Sequence, residues 1–243
     1  KLINLVLAEQ MLHHPEIVMA GQDIGAKGGV YGITKGLQAK FGRTRVVDTI
    51  LDEQSILGLA QGLAQTGYIP IPEIQFLAYL HNAEDQLRGE SATLPFFSNG
   101  QFANPMVVRI AGLGYQRGFG GHFHNDNSLA VLRDIPGLIL GCPSDGLEAV
   151  LMYREAVRLA REENRVVVIV EPIARYGTRD LLEEEDGGWM RFFPSSGSAP
   201  LGSFSRHGVG RDLCIVTYGN GVFLSRQAQA ELGPGVSVLD LRW

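Results

Sequence analysis

The chain has 243 residues, enough to bury a full core in one large domain or one and a half ordinary ones. A formal net charge of −5, with Lys and Arg scattered rather than clustered, argues against a nucleic-acid backbone as partner. Hydrophobic content of 45% and charge of 19% are ordinary for a globular protein, and no apolar run reaches the length of a membrane span.

The start, Lys1-Leu2-Ile3-Asn4, carries no initiator methionine and no signal-peptide pattern, which points to a fragment or the later part of a longer polypeptide. Cys142 and Cys214 lie far apart and match no metal spacing, so two buried free thiols in a reducing compartment are expected. Leu2 to His13 has helical periodicity, stopped by Pro15, and Ile17–Ala20 is a short buried strand. A glycine-rich loop follows through Gly28-Gly29-Val30-Tyr31-Gly32, with Thr34 expected to cap a helix reaching Phe41. The loop has neither a Gly-x-Gly-x-x-Gly nor a Walker lysine pattern, so it reads equally as a phosphate site or as a surface loop.

Val46-Val47 is the next strand. Asp52 and Glu53 then open an apolar helix that runs to Gln65 and carries Gly58 and Gly62. First-turn carboxylates are favoured by the helix dipole. The sharper alternative makes Glu53 a buried carboxylate doing proton work on a ligand. Tyr68 to Phe76 reads as a strand whose Pro70 and Pro72 should lie near its start. The following helix holds Asn82, Glu84, Asp85, Gln86 and Arg88, a density of polar groups that suggests a solvated face.

Pro105–Ala111 is a buried strand leading into a second glycine-rich loop, Gly112–Gly121, which delivers His122-Phe123-His124. Two histidines at i, i+2 could ligate metal, but no Cys or carboxylate cluster completes a set, so no metal ligand is assigned. A histidine presented by such a loop at a strand end is better suited to proton donation or hydrogen bonding. Leu138–Leu140 is a strand, and Ser144 or Asp145 caps a helix to Glu163. Val166–Val170 is an apolar β-branched strand of the parallel-sheet kind. Strands alternating with helices give a doubly wound α/β domain over residues 1–175. Residues 176–211 read as a linker with short elements, and 212–243 as the truncated opening of a second α/β domain.

With these residues placed, the chain resembles the β-subunit of the thiamine-diphosphate-dependent decarboxylating component of 2-oxo acid dehydrogenase complexes. The resemblance runs through Gly29–Leu37, Leu51-Asp52-Glu53, Glu73–Tyr79, Asp85-Gln86, Pro105–Arg109, the loop before His124, Pro136-Gly137-Leu138 and Glu171-Pro172. It implies a transketolase-type pyrimidine-binding domain followed by a transketolase C-terminal domain. It also implies oxidative decarboxylation of a 2-oxo acid, with the acyl group passed to a lipoyl carrier. The family's Gly-Asp-Gly…Asn pattern for diphosphate and Mg²⁺ is absent, so a partner half must hold both. That half is an α-subunit or an N-terminal α part of the same polypeptide, and the missing start favours fusion.

By the same resemblance Glu53 shares a proton with N1′ of the aminopyrimidine. Leu51, Gln75, Phe76 and Tyr79 line the cofactor pocket, and His124 serves acyl transfer. Phe76 packs either on the pyrimidine ring or in the core. Self-association, a lipoyl-bearing acyltransferase partner, and a bacterial cytoplasmic or mitochondrial matrix location follow from the family. Departures are Asn125-Asp126 where the family has Ser-Gln, and Ala78 where it has Asp; His122 competes with His124 for the catalytic role. A transketolase or acetoin-cleaving enzyme, and a non-catalytic assembly subunit, are the alternatives. A dinucleotide-binding module lacks its glycine fingerprint here.

Overall fold

The structure is a computed structural model of the chain; it describes residues 1–114 and 120–243. Six parallel strands form the main sheet, in the order β2-β1-β3-β4-β6-β5. They are β1 (Ile17–Gly21), β2 (Val46–Asp48), β3 (Ile69–Ile74), β4 (Met106–Gly112), β5 (Leu138–Gly141) and β6 (Val166–Pro172). The helices of this part are α1 (Leu2–His13), α2 (Leu37–Phe41), α3 (Glu53–Gln65), α4 (Leu94–Phe97), α5 (Leu129–Arg133) and α6 (Gly146–Glu163).

Alternation along the strands divides the core in two. Val107, Val167 and Ile169 point into the layer under α1 and α6. Val108, Ile110, Val168 and Val170 point into the opposite layer, under α3 and α5. Both faces are therefore covered, which is the doubly wound arrangement expected. Asp145 begins α6 by accepting hydrogen bonds from the backbone N–H of Leu147 and Glu148, so it, rather than Ser144, is the cap. Asn164 ends α6 in the left-handed conformation.

Pro70 and Pro72 sit inside the β1–β3 ladder, opposite Val18 and Ala20. They share one parity, so both missing N–H groups fall on the same side of the strand. The ladder with β4 begins beyond them, at Glu73 opposite Arg109. This is how β3 carries two prolines while lying between two neighbours.

Several local expectations are corrected. Thr34 is not a helix cap: it is buried and its hydroxyl donates to the Ile24 carbonyl at 2.7 Å, while Gly36 precedes α2. The polar stretch after Phe76 is a 3-10 turn over Leu77–Asn82 followed by a π-helical turn over Gln86–Ser91. Cys142 is buried but Cys214 is exposed, and both are free thiols.

The C-terminal part forms a second sheet in the order β7-β9-β8, from β7 (Phe204–His207), β8 (Leu213–Thr217) and β9 (Val236–Leu241), with α7 (Asn220–Leu232) beside it. β8 and β9 are parallel, whereas β7 runs antiparallel to β9 and lies within the stretch read as linker. No helix among the described residues is long and apolar enough to cross a membrane.

Candidate active site

All six strands of the main sheet end on one edge, and the crevice beside those ends at the reversal of strand order is the default ligand site. The reversal here lies between β1 and β3. The bend after β2 carries Leu51 and delivers Glu53 as the first residue of α3. Asp52 fixes that start by accepting from the Ser55 N–H at 3.3 Å. Glu53 is 6% exposed, and its Oε2 accepts a hydrogen bond from the Asn82 side-chain amide at 3.0 Å.

Asn82 closes the 3-10 turn that follows β3, and that turn organises the rest of the site. In a 3-10 helix, residues i and i+3 eclipse, so Tyr79 and Asn82 share a side. The Tyr79 hydroxyl lies 2.9 Å from His124 Nε2. His81, two residues on, lies 2.9 Å from Asp126. One turn thus contacts both the carboxylate of α3 and the loop that carries the histidines.

Phe76 is 3% exposed and enclosed by rings: the centroids of His124, Tyr79 and Tyr31 lie 4.5, 5.5 and 6.1 Å away, each near edge-on. It therefore backs the site, while Tyr31, Tyr79 and His124 around it are half-buried. His124 lies against Phe76 and Tyr79, whereas His122 is exposed with its ring against Phe123. Residues 115–119 of the second glycine-rich loop lie outside the described residues.

The structure brings Phe76, Tyr79 and His124 together and ties Glu53 to the same turn through Asn82. Leu51 is 67% exposed on the rim, next to the equally bare Ile50. Gln75 turns towards the loop after β1, donating to the Gln22 carbonyl at 3.2 Å. Asn82 was legible only as part of a polar face; its spacing of three from Tyr79 was the available signal.

Beneath the site lies a second polar cluster. Arg109 of β4 donates to both oxygens of Glu171, at 3.1 and 2.7 Å, and to Glu73. The hydroxyls of Tyr153 and Tyr176 also donate to Glu171. Burial alone would lower the Arg109 pKa, but the adjacent Glu171 carboxylate more than reverses this and holds it above its ordinary value. Among the described residues no group of three or more His, Cys, Asp or Glu could hold a metal ion.

Residues 1–177 match the model of the transketolase pyrimidine-binding domain. The chain is 33% identical to the pyruvate dehydrogenase E1 component subunit beta of Staphylococcus aureus over 99% of its own length and 70% of that protein's. It is 32% identical to the subunit of the same name from Staphylococcus epidermidis, with the same coverage. A split-gene transketolase described as an inactive beta4 tetramer superposes with a TM-score of 0.70 at 21% identity, covering 99% of this chain and 70% of that one. A Pichia stipitis transketolase variant crystallised with fructose 6-phosphate gives 0.68 at 20% identity, covering 99% of this chain and 34% of that one. At such identities the structural likeness speaks for the fold alone, whereas the domain match and the sequence identity to the E1 subunits reach further. The chain belongs to the transketolase pyrimidine-binding family, and within it to the β-subunits of 2-oxo acid dehydrogenase decarboxylating components.

Proposed function

We propose that this chain supplies the aminopyrimidine side of a thiamine diphosphate site in a 2-oxo acid dehydrogenase. The observation that carries the reading is the Glu53 carboxylate, buried at the start of α3 and steadied by Asn82, beside the Tyr79–His124 pair. These groups fit an aminopyrimidine: a shielded carboxylate for a ring nitrogen, half-buried aromatic rings, and an imidazole at hydrogen-bonding reach of a phenol.

Thiamine diphosphate, when bound, supplies the carbanion chemistry and the electron sink that decarboxylation of a 2-oxo acid requires. Glu53 would share a proton with N1′ of the pyrimidine, and Asn82 would keep its carboxylate from rotating away. Tyr79 would border the pyrimidine, and Phe76 packs edge-on against its ring. His124, oriented through Tyr79, would protonate the second lipoyl sulfur as the acyl unit takes the first and the S–S bond breaks, the disulfide serving as the oxidant. Gln75 ties the end of β3 to the loop after β1 and thereby shapes the floor. Leu51 and Ile50 form an apolar rim that the partner half covers.

That half, an α-subunit or an α part of the same polypeptide, holds the diphosphate and Mg²⁺. A lipoyl-bearing acyltransferase receives the product, and the assembly pairs copies of this chain in the bacterial cytoplasm. The test is to reconstitute the chain with its α half and assay 2-oxo acids against sugar phosphates, with and without thiamine diphosphate. Cofactor-dependent turnover of a 2-oxo acid supports the reading. Turnover of sugar phosphates alone, or none with any substrate, contradicts it.

A further inference from the structure

The loop carrying His124 meets the 3-10 turn through two rungs. Tyr79 reaches His124, and His81 reaches Asp126, both at 2.9 Å. The rungs are two residues apart on each segment, so both pin the C-terminal end of the loop against the turn. The loop is also closed on itself, since the Asn125 amide donates to the Gly121 carbonyl at 2.8 Å.

Asp126 is committed on both oxygens. Oδ1 accepts from the Ser128 N–H at 2.7 Å and so fixes the entry to α5, while Oδ2 faces His81. Burial would raise the Asp126 pKa, but hydrogen bonds from Ser128 and His81 reverse this and hold it below the usual carboxylate range. The other ring nitrogen of His81 lies 3.9 Å from Glu84. Asp126 is mostly shielded, at 15% side-chain exposure against 48% for His81, so the contact is tighter than an ordinary surface pair. Asn125-Asp126 is also where the sequence departs from its family's Ser-Gln, so this chain sets its histidine loop with a charge of its own.

We propose that the His81–Asp126 hydrogen bond is a positioning contact that holds His124 against Tyr79, and that acyl transfer through His124 depends on it. The proposal rests on the reading of His124 given above. Reacting groups held loosely by about an ångström lose rate steeply, so a rung two residues from the imidazole has kinetic leverage.

The test uses the chain reconstituted with its α half and three variants. Asp126→Asn keeps the Oδ1 acceptor for Ser128, His81→Ala leaves the entry to α5 intact, and His81→Lys restores an N–H donor towards Asp126. Two readouts are taken. Histidine modification by diethyl pyrocarbonate, mapped by mass spectrometry, reports the protection of His124. Acyl transfer to a free lipoyl acceptor is compared with turnover of an artificial electron acceptor.

The expected result is a several-fold faster modification of His124 in Asp126→Asn and His81→Ala. Lipoyl transfer falls several-fold, thiamine diphosphate affinity is unchanged, and His81→Lys recovers both readouts. Unchanged protection of His124 in both disrupting variants overturns the proposal, as does a His81→Lys that behaves like His81→Ala. The modification map needs no turnover, so it decides on the pair even if the 2-oxo acid assay of the parent protein fails.

Discussion

Two buried carboxylates at the same edge of the main sheet have opposite surroundings. Glu171 is fully enclosed and accepts from Arg109, Tyr153 and Tyr176. Glu53 is nearly as deep, yet among the described residues its carboxylate accepts from the Asn82 side-chain amide alone. A carboxylate with every lone pair occupied has nothing left to offer a ligand. One that is shielded and sparsely bonded keeps acceptor capacity for an incoming group. The first cluster is architecture, joining β3, β4, β6 and α6 through one guanidinium. The second is the candidate site, and its spare acceptor capacity is what the proposed cofactor role draws on.

The contrast can be broken most forcefully at Arg109. Arg109→Met leaves Glu73 and Glu171 buried without their cation, and the expected loss is ~3–5 kcal/mol in denaturant unfolding. A loss below ~1 kcal/mol would mean that the cluster is not the structural keystone described.

A third polar group sharpens the comparison. Asp240, on β9, is fully enclosed and receives the Ser144 hydroxyl from the main domain. Burial, opposed by Ser144 and reinforced by the carboxylates of Glu148 and Asp145, pushes its pKa from 3.8 up to about 7. The folded state therefore favours the protonated acid. Its contribution is present in full below about pH 4 and is lost as pH rises towards 7, with little change beyond. The slope of stability in that window cannot exceed ~1.4 kcal/mol per pH unit for one group. Asp240→Asn should flatten this part of the pH–stability curve, and an unchanged slope would refute the assignment.

The smallest expected effect on stability falls in the open site. Tyr79→Phe removes the hydroxyl that meets His124 and keeps the ring, so unfolding should shift by no more than ~1.5 kcal/mol. Lipoyl transfer should fall while cofactor affinity holds. A large loss of stability would place Tyr79 with the architectural cluster instead.

The main sheet was legible because its signals are local. Val166–Val170 is β-branched throughout, and Asp145 stands where a cap must. The context around Glu53 left it as either a first-turn carboxylate or a buried one; the structure buries it at the start of α3, and its role towards a cofactor comes from the family resemblance. The remainder depends on contacts between distant residues. Asn82 faces Glu53 across 29 positions, and the histidine rungs each span 45. β7 is a short strand of mixed polarity, Phe204-Ser205-Arg206-His207, and exists because β9 offers it an antiparallel partner. Thr34 has the chemistry of a cap, but the Ile24 carbonyl lies within reach first. The turn after Phe76 winds as 3-10 and π rather than α, a choice that polar composition alone does not encode.

The most direct measurement is the kinetic cost of Glu53→Gln in the protein reconstituted with its α half and thiamine diphosphate, read beside its unfolding curve. The account predicts native-like stability and a fall of ~10²-fold or more in 2-oxo acid decarboxylation. Decarboxylation at the parent rate in a folded Glu53→Gln protein would contradict it.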